Sequence, residues 1–259
     1  MSRISFISLL ALIISIGSST YGASLNRSID LVTGVVTLLV APDANTVIYA
    51  LEEQLPEGVF PRDISHEGAY DVYLNKVKWG PFMDDEERIL TYQIVVEGET
   101  ELAITGAASW DGSEAQAAEG AESGVFTGGG FYSWILANFG PEALVDEQVD
   151  TSYDSDRDVI GLLGEFVFGL DPNAVDSPET EFHYDRVGSK LELSLRKRAE
   201  LGEVTLSFWR SPDLEDWTEF DPGDAIDLQN LGEGIEALSY SWPASGGDEF
   251  IQLRYSLPD

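Results

Sequence analysis

Apolar side chains recur at every second residue through most of this chain. Leu90, Tyr92, Ile94 and Val96 fall on one face of an extended segment, with Thr91, Gln93 and Val95 on the other. In Lys76-Val77-Lys78-Trp79 the apolar pair faces one way and the lysines the other. Val47, Tyr49 and Leu51 alternate, Val35 to Val40 is a compact apolar run, and Leu102, Ile104 and Trp110 continue the pattern. In the tail the same period runs through Leu191, Leu193 and Leu195, then Val204, Leu206 and Phe208, then Leu238, Tyr240 and Trp242, and finally Ile251, Leu253 and Tyr255. Successive side chains of a strand point to opposite faces, so this period predicts antiparallel sheets with one face on a core. The expected fold class is mainly β. It comprises an N-terminal β-sandwich over residues 23–112, a short helix-loop-helix connector, and a small antiparallel β domain over residues 181–259.

Composition sets what can hold such a fold together. The 259 residues are 43% hydrophobic and 11% aromatic, enough to bury a core, and none is cysteine. Disulfides and lipid attachment through cysteine are therefore excluded. The net charge of −33 describes a solvated acidic surface, which repels nucleic acid and anionic lipid and attracts divalent cations. The first 22 residues have the layout of a secretory signal peptide: Arg3, an apolar run from Ile4 to Ile16, then Thr20 and Gly22 at −3 and −1 of a cut before Ala23. Export is expected, to the medium or the cell surface. No later stretch is long and apolar enough to span a bilayer.

The middle of the chain breaks the period of two. Residues 113–130, rich in Ala, Gly, Glu and Ser, read as a flexible linker. Residues 131–172 read as an acidic helix-loop-helix connector. Phe131, Trp134 and Ile135 have helical spacing up to a stop at Gly140-Pro141, and a second helix is expected from Ile160 to Phe168 with Gly169 as its C-cap. Between them, Asp154-Ser-Asp156-Arg-Asp158-Val-Ile160-Gly-Leu-Leu-Gly-Glu165 puts acids at positions 1, 3, 5 and 12 of a twelve-residue frame. Carboxylates on alternate residues of a tight loop converge on one cation, and a glutamate on the following helix closes the shell, as in an EF-hand. Asp154, Asp156, Asp158 and Glu165 through side chains, and Ile160 through its carbonyl, are thus the expected ligands of a weakly held Ca²⁺. Two positions depart from the frame. Val159 stands where glycine supplies a positive φ, and Leu162 stands at position 9.

Three stretches resemble known families. Tyr49-Ala-Leu-Glu-Glu-Gln-Leu-Pro-Glu-Gly58, Val77-Lys-Trp-Gly-Pro-Phe82, Leu90-Thr-Tyr-Gln-Ile94 and Ser109-Trp-Asp-Gly112 resemble an Ig-like repeat of bacterial secreted and surface proteins. Phe131, Trp134 and Phe139, with Glu165-Phe-Val-Phe-Gly-Leu-Asp-Pro172, resemble the connector of large secreted bacterial proteins, whose loop is similar to those of dockerins and thrombospondin-type calcium repeats. Ser211-Pro-Asp-Leu-Glu-Asp-Trp217 and Phe250-Ile-Gln-Leu-Arg254 resemble the β tail module that follows it. The resemblance implies an Ig-like N-terminal sandwich and a calcium-binding loop, and it is nearly silent on activity.

Catalytic motifs are scarce. The only histidines are His66 and His183, and there is no H-E-x-x-H, no G-x-S-x-G and no P-loop. The expected function is a non-enzymatic structural or adhesive role outside the cell, with an extracellular protein or polysaccharide as partner and the ion stiffening the connector. Two other readings stand beside it. One is a carbohydrate-binding protein that uses exposed aromatics, for which Trp209, out of phase with Leu206 and Phe208, is the leading residue. The other is a hydrolase with an unrecognised carboxylate pair.

Overall fold

The computed structural model describes residues 22–120, 123–144, 149–176, 182–244 and 249–258. The expected signal peptide lies outside them except for Gly22. The chain is mainly β, as the alternation predicts, with two α-helices among the described residues.

The N-terminal strands are β1 (Ser24–Ile29), β2 (Val35–Ala41), β3 (Tyr49–Gln54), β4 (Val59–Arg62), β5 (Ala69–Asp71), β6 (Lys76–Phe82) and β7 (Arg88–Val96). They continue with β8 (Glu99–Ala103), β9 (Thr105–Trp110), β10 (Gln116–Ala117), β11 (Glu119–Gly120) and β12 (Ser123–Thr127). Two five-stranded sheets form, in the orders β11-β1-β2-β7-β4 and β10-β9-β3-β6-β5, beside a β8–β12 hairpin pair. Leu90, Tyr92, Ile94 and Val96 all point into the core between the sheets, facing Leu51, Val77 and Trp79. Pairing is antiparallel through β1-β2-β7-β4, with the parallel β1–β11 pair at one edge, and the β5–β6 hairpin extends the second sheet.

One buried polar group ties the two sheets together. The Arg27 guanidinium on β1 donates from Nε and Nη2 to the Glu53 carboxylate on β3, at 2.8 and 2.7 Å, and from Nη1 to the Ile104 carbonyl at 2.9 Å. Tyr92 donates its hydroxyl to Glu53 as well, at 3.2 Å. Burial pushes the Glu53 carboxyl up, and the Arg27 hydrogen bonds and charge oppose that shift. A fork-to-fork pair with its remaining atoms bonded is the arrangement in which a buried ion pair is tolerated.

The described residues of 113–130 are largely paired in strands where composition suggested a flexible linker, which corrects that reading. β10 extends the edge of β9, β11 lies parallel to β1, and β12 pairs with β8, with Phe126 buried in the sandwich core. Two of the glycines that suggested flexibility serve close backbone approach. A Cβ on Gly120 would sit 2.2 Å from the Arg27 carbonyl oxygen, and one on Gly128 would sit 2.0 Å from that of Val96.

Two helices follow, α1 (Gly130–Phe139) and α2 (Leu162–Phe168), separated by a 3₁₀ turn at Pro141–Leu144 and the acidic loop. The C-terminal strands are β13 (Phe182–Val187), β14 (Lys190–Arg198), β15 (Thr205–Ser211), β16 (Thr218–Phe220), β17 (Asp227–Gly232), β18 (Ile235–Pro243) and β19 (Phe250–Ser256). They pair as β13-β14-β18-β17 and β16-β15-β19. Phe208 against Tyr240 and Phe220 against Trp242, each with ring centroids 5.4 Å apart, join the two sheets.

The helices share a core with this C-terminal domain. Phe131, Ile135, Phe166 and Val167 pack with Leu195 and Val204, and with Val95 and Phe60 of the N-terminal sandwich. Helices of ten and seven residues are too short to persist alone. Their free ends are also met from the C-terminal domain. The Glu203 carboxylate accepts from the Phe131 N–H at 3.1 Å, at the start of α1. Arg198 donates to the Phe166 carbonyl at 2.8 Å and Arg196 to that of Gly169 at 3.2 Å, at the end of α2. Among the described residues no helix is long and apolar enough to cross a membrane.

Candidate metal centre

The acidic loop is shaped by its own aspartates. Asp154 Oδ1 accepts from the N–H groups of Arg157 at 2.6 Å and Asp158 at 3.2 Å, and its Oδ2 accepts from Val159 at 2.9 Å. Asp156 Oδ1 accepts from the Asp158 N–H at 3.2 Å, and Asp158 Oδ1 from the Ile160 N–H at 2.8 Å. These side-chain-to-backbone bonds wind the chain into a tight turn. One carboxylate oxygen from each of Asp154, Asp156 and Asp158 lies within 4.8 Å of the others. Three of the five residues expected as ligands are thereby brought together.

The fourth, Glu165, sits on α2 and is 2% exposed. Both of its carboxylate oxygens lack a hydrogen-bond partner among the described residues, as does Asp156 Oδ2. Burial, followed by the charges of Asp158, Asp156, Asp176 and Asp154, pushes the Glu165 carboxyl up to about 8. Asp156 is raised by burial and then by Asp158. Asp154 moves the other way: burial raises it, but the three backbone donors outweigh that and leave it below the ordinary carboxylate value. Like charges converging on a buried, unpaired carboxylate are costly without a cation. The donor set is all oxygen, which suits a hard divalent ion.

Ile160 is buried, its side chain in the second core and its N–H on Asp158. Val159 adopts φ +82°, the left-handed backbone that the frame needs at position 6 and that a β-branched residue was expected to resist. The second helix begins at Leu162 rather than Ile160, because the loop holds residues 158–160 in its turn. Gly169 caps it in the left-handed region as expected. Its N–H reaches the Phe166 carbonyl, and the Leu170 N–H reaches that of Glu165 at 2.9 Å.

Sequence reasoning missed Asp176. Its backbone N–H donates to Asp158 Oδ2 at 2.9 Å, and the Ser155 hydroxyl donates to the Pro172 carbonyl, so the chain after α2 folds back over the loop. The available signal was a further aspartate four residues beyond Pro172.

The other candidates are less developed. His66 and His183 are both exposed, one in the N-terminal sandwich and the other on β13. Trp209 is half-buried rather than open. The Arg254 guanidinium lies 3.9 Å from its ring centroid, and its Nε1 donates to Ser207 at 2.9 Å. A cavity of about 440 Å³ lies where α1, α2, β14 and the β7–β8 turn meet, lined by Glu97, Ser133, Trp134, Phe166, Arg198 and Glu200 among others.

Comparison with known proteins yields only distant likeness. No family model and no curated protein matches the chain. A solved structure of manganese lipoxygenase of Gaeumannomyces graminis with a partial zonadhesin of Komagataella pastoris is 8% identical, covering 92% of this chain and 84% of that one at a TM-score of 0.23. A type II cohesin dyad from the ScaA scaffoldin of Acetivibrio cellulolyticus is 8% identical, covering 85% and 77%, at 0.20. The secreted serine protease VesC of Vibrio cholerae is 10% identical, covering 91% of this chain and 51% of that one, also at 0.20. At these scores the likeness carries no argument, and the site has to speak through its own geometry.

Proposed function

We propose that this chain is an exported, non-enzymatic structural or adhesive β protein that holds one Ca²⁺ at Asp154, Asp156, Asp158 and Glu165, with the Ile160 carbonyl. The observation that carries the metal reading is Glu165, a buried carboxylate without a hydrogen-bond partner beside three converging aspartates. Export is supported by the layout of residues 1–22 and by the resemblance to secreted bacterial modules. A non-enzymatic role is supported by the exposed, separated histidines.

Bound at this loop, Ca²⁺ supplies the positive charge that the converging carboxylates otherwise lack. The residues do the rest. Asp154 winds the loop, Glu165 fixes the register of α2 against it, and α2 passes the constraint to β14 through Arg196 and Arg198. The ion therefore stiffens a shared core and not merely a tether between domains.

The test is a calcium titration by calorimetry on chelator-stripped protein, with thermal melts alongside. One saturable site is expected. At a hundredfold excess over Kd it should add about 2.7 kcal/mol of stability. The double variant Asp156→Ala with Asp158→Ala should show neither effect. Absence of binding up to millimolar calcium would sink the metal reading. The carbohydrate reading ranks second because Arg254 covers Trp209.

A further inference from the structure

We propose that Asp176, which lies outside the twelve-residue frame, is a fifth side-chain ligand of this centre, so that the site closes across two chain segments. The assignment rests on the calcium reading above and adds a ligand from beyond the helix.

The loop alone reaches only the lower end of calcium's coordination range, even with Glu165 giving two oxygens. A calcium ion takes six to eight oxygens. Position 9, which commonly supplies a side chain or holds a water, is Leu162, and that side chain is buried in the second core. Val159 offers only an apolar side chain, 90% exposed. Asp154, Asp156, Asp158, Glu165 and the Ile160 carbonyl therefore leave room for another carboxylate.

The chain after α2 is built to deliver one. The Leu170 N–H is held by the Glu165 carbonyl at 2.9 Å, and the Asp171 carbonyl accepts from Ala174 at 3.0 Å, turning the chain back. Ser155 of the loop grips the Pro172 carbonyl. The Asp176 N–H then docks on Asp158 Oδ2 at 2.9 Å, which brings the backbone of a half-buried aspartate against the loop. An acidic cluster alone would not mark a ligand site. Here the buried Glu165 carboxylate, without a hydrogen-bond partner, provides the independent sign that a cation belongs between these groups.

The backbone contact of residue 176 survives substitution of its side chain, so variants report on the carboxylate. Calcium affinity would be measured by calorimetry on the full chain for the parent, Asp176→Asn, Asp176→Glu and Asp185→Asn. Asp185 is exposed on β13 and controls for loss of one negative charge. Chelator-state melts would confirm that each variant folds. Asp176→Asn should bind about tenfold or more weakly, Asp176→Glu should recover part of the loss, and Asp185→Asn should match the parent. Equal affinity of Asp176→Asn and parent would overturn the assignment. So would equal losses in Asp176→Asn and Asp185→Asn, or in Asp176→Asn and Asp176→Glu, since these report net charge or backbone structure. A parent that binds no calcium would overturn the reading of the loop itself, and this assignment with it.

Discussion

At the scale of single residues, Val159 carries the clearest conflict between local preference and tertiary demand. Its φ of +82° is disfavoured for a β-branched residue, and its side chain is 90% exposed, so no packing compensates. The left-handed conformation costs about 1–2 kcal/mol relative to a residue that tolerates it. The loop imposes it because the Asp154 carboxylate gathers three consecutive N–H groups, that of Val159 included. Val159→Gly should therefore raise stability by about 1 kcal/mol, after the larger entropy loss of glycine on folding, and tighten calcium binding. Melts and calorimetry on this one variant check both, and a lower melting temperature would refute the strain argument.

At the scale of elements, α2 carries a pH dependence. Its Glu165 carboxyl is raised to about 8 against an ordinary value of 4.5, by burial first and then by the neighbouring aspartates. The ion-free folded chain thus holds a proton that the unfolded chain has released between those values. Stability from this group is fully present below 4.5 and is lost as pH rises through about 8. Under the proposed calcium reading the sense reverses, because Glu165 would have to ionise to bind the ion. Affinity should fall about tenfold per pH unit below the raised value and level off above it. In chelator the protein should melt lower at pH 9 than at pH 6, and Glu165→Gln should narrow that difference. A chelator-state melt that rises with pH would contradict the assignment.

At the scale of the molecule, two cores divide the work. The N-terminal sandwich has its own core, closed by Phe126, while the helices, the C-terminal sheets and the outer residues Phe60 and Val95 of the sandwich share the second. Among the described residues, those of the acidic loop and α2 that are buried in a core belong to the second. Chelation should therefore speed hydrogen exchange at the amides of α2 and β14 and leave those of β2 and β7 protected. Equal acceleration in both cores would show that the ion supports the whole chain.

The alternation of apolar residues was sufficient to read strands such as β7 and β14, because a period of two leaves one buried face whatever the partner strand. Leu90, Tyr92, Ile94 and Val96, and likewise Leu191, Leu193 and Leu195, are buried as that pattern requires. The turn at Asp154–Asp158 was legible for the same reason: its hydrogen bonds are local, within five residues. Long-range partnership was not. Arg27 and Glu53 lie in phase with buried neighbours, Leu25 and Leu51, yet only the meeting of the two sheets makes them a pair. Gly120 and Gly128 read as slack in isolation and proved to be points where one backbone passes close to another. Asp176 is an ordinary acid in an acidic chain until the segment after α2 folds back onto Asp158. Local periodicity and local hydrogen bonding are written in the order of residues, whereas contacts between distant segments exist only once the chain has closed on itself.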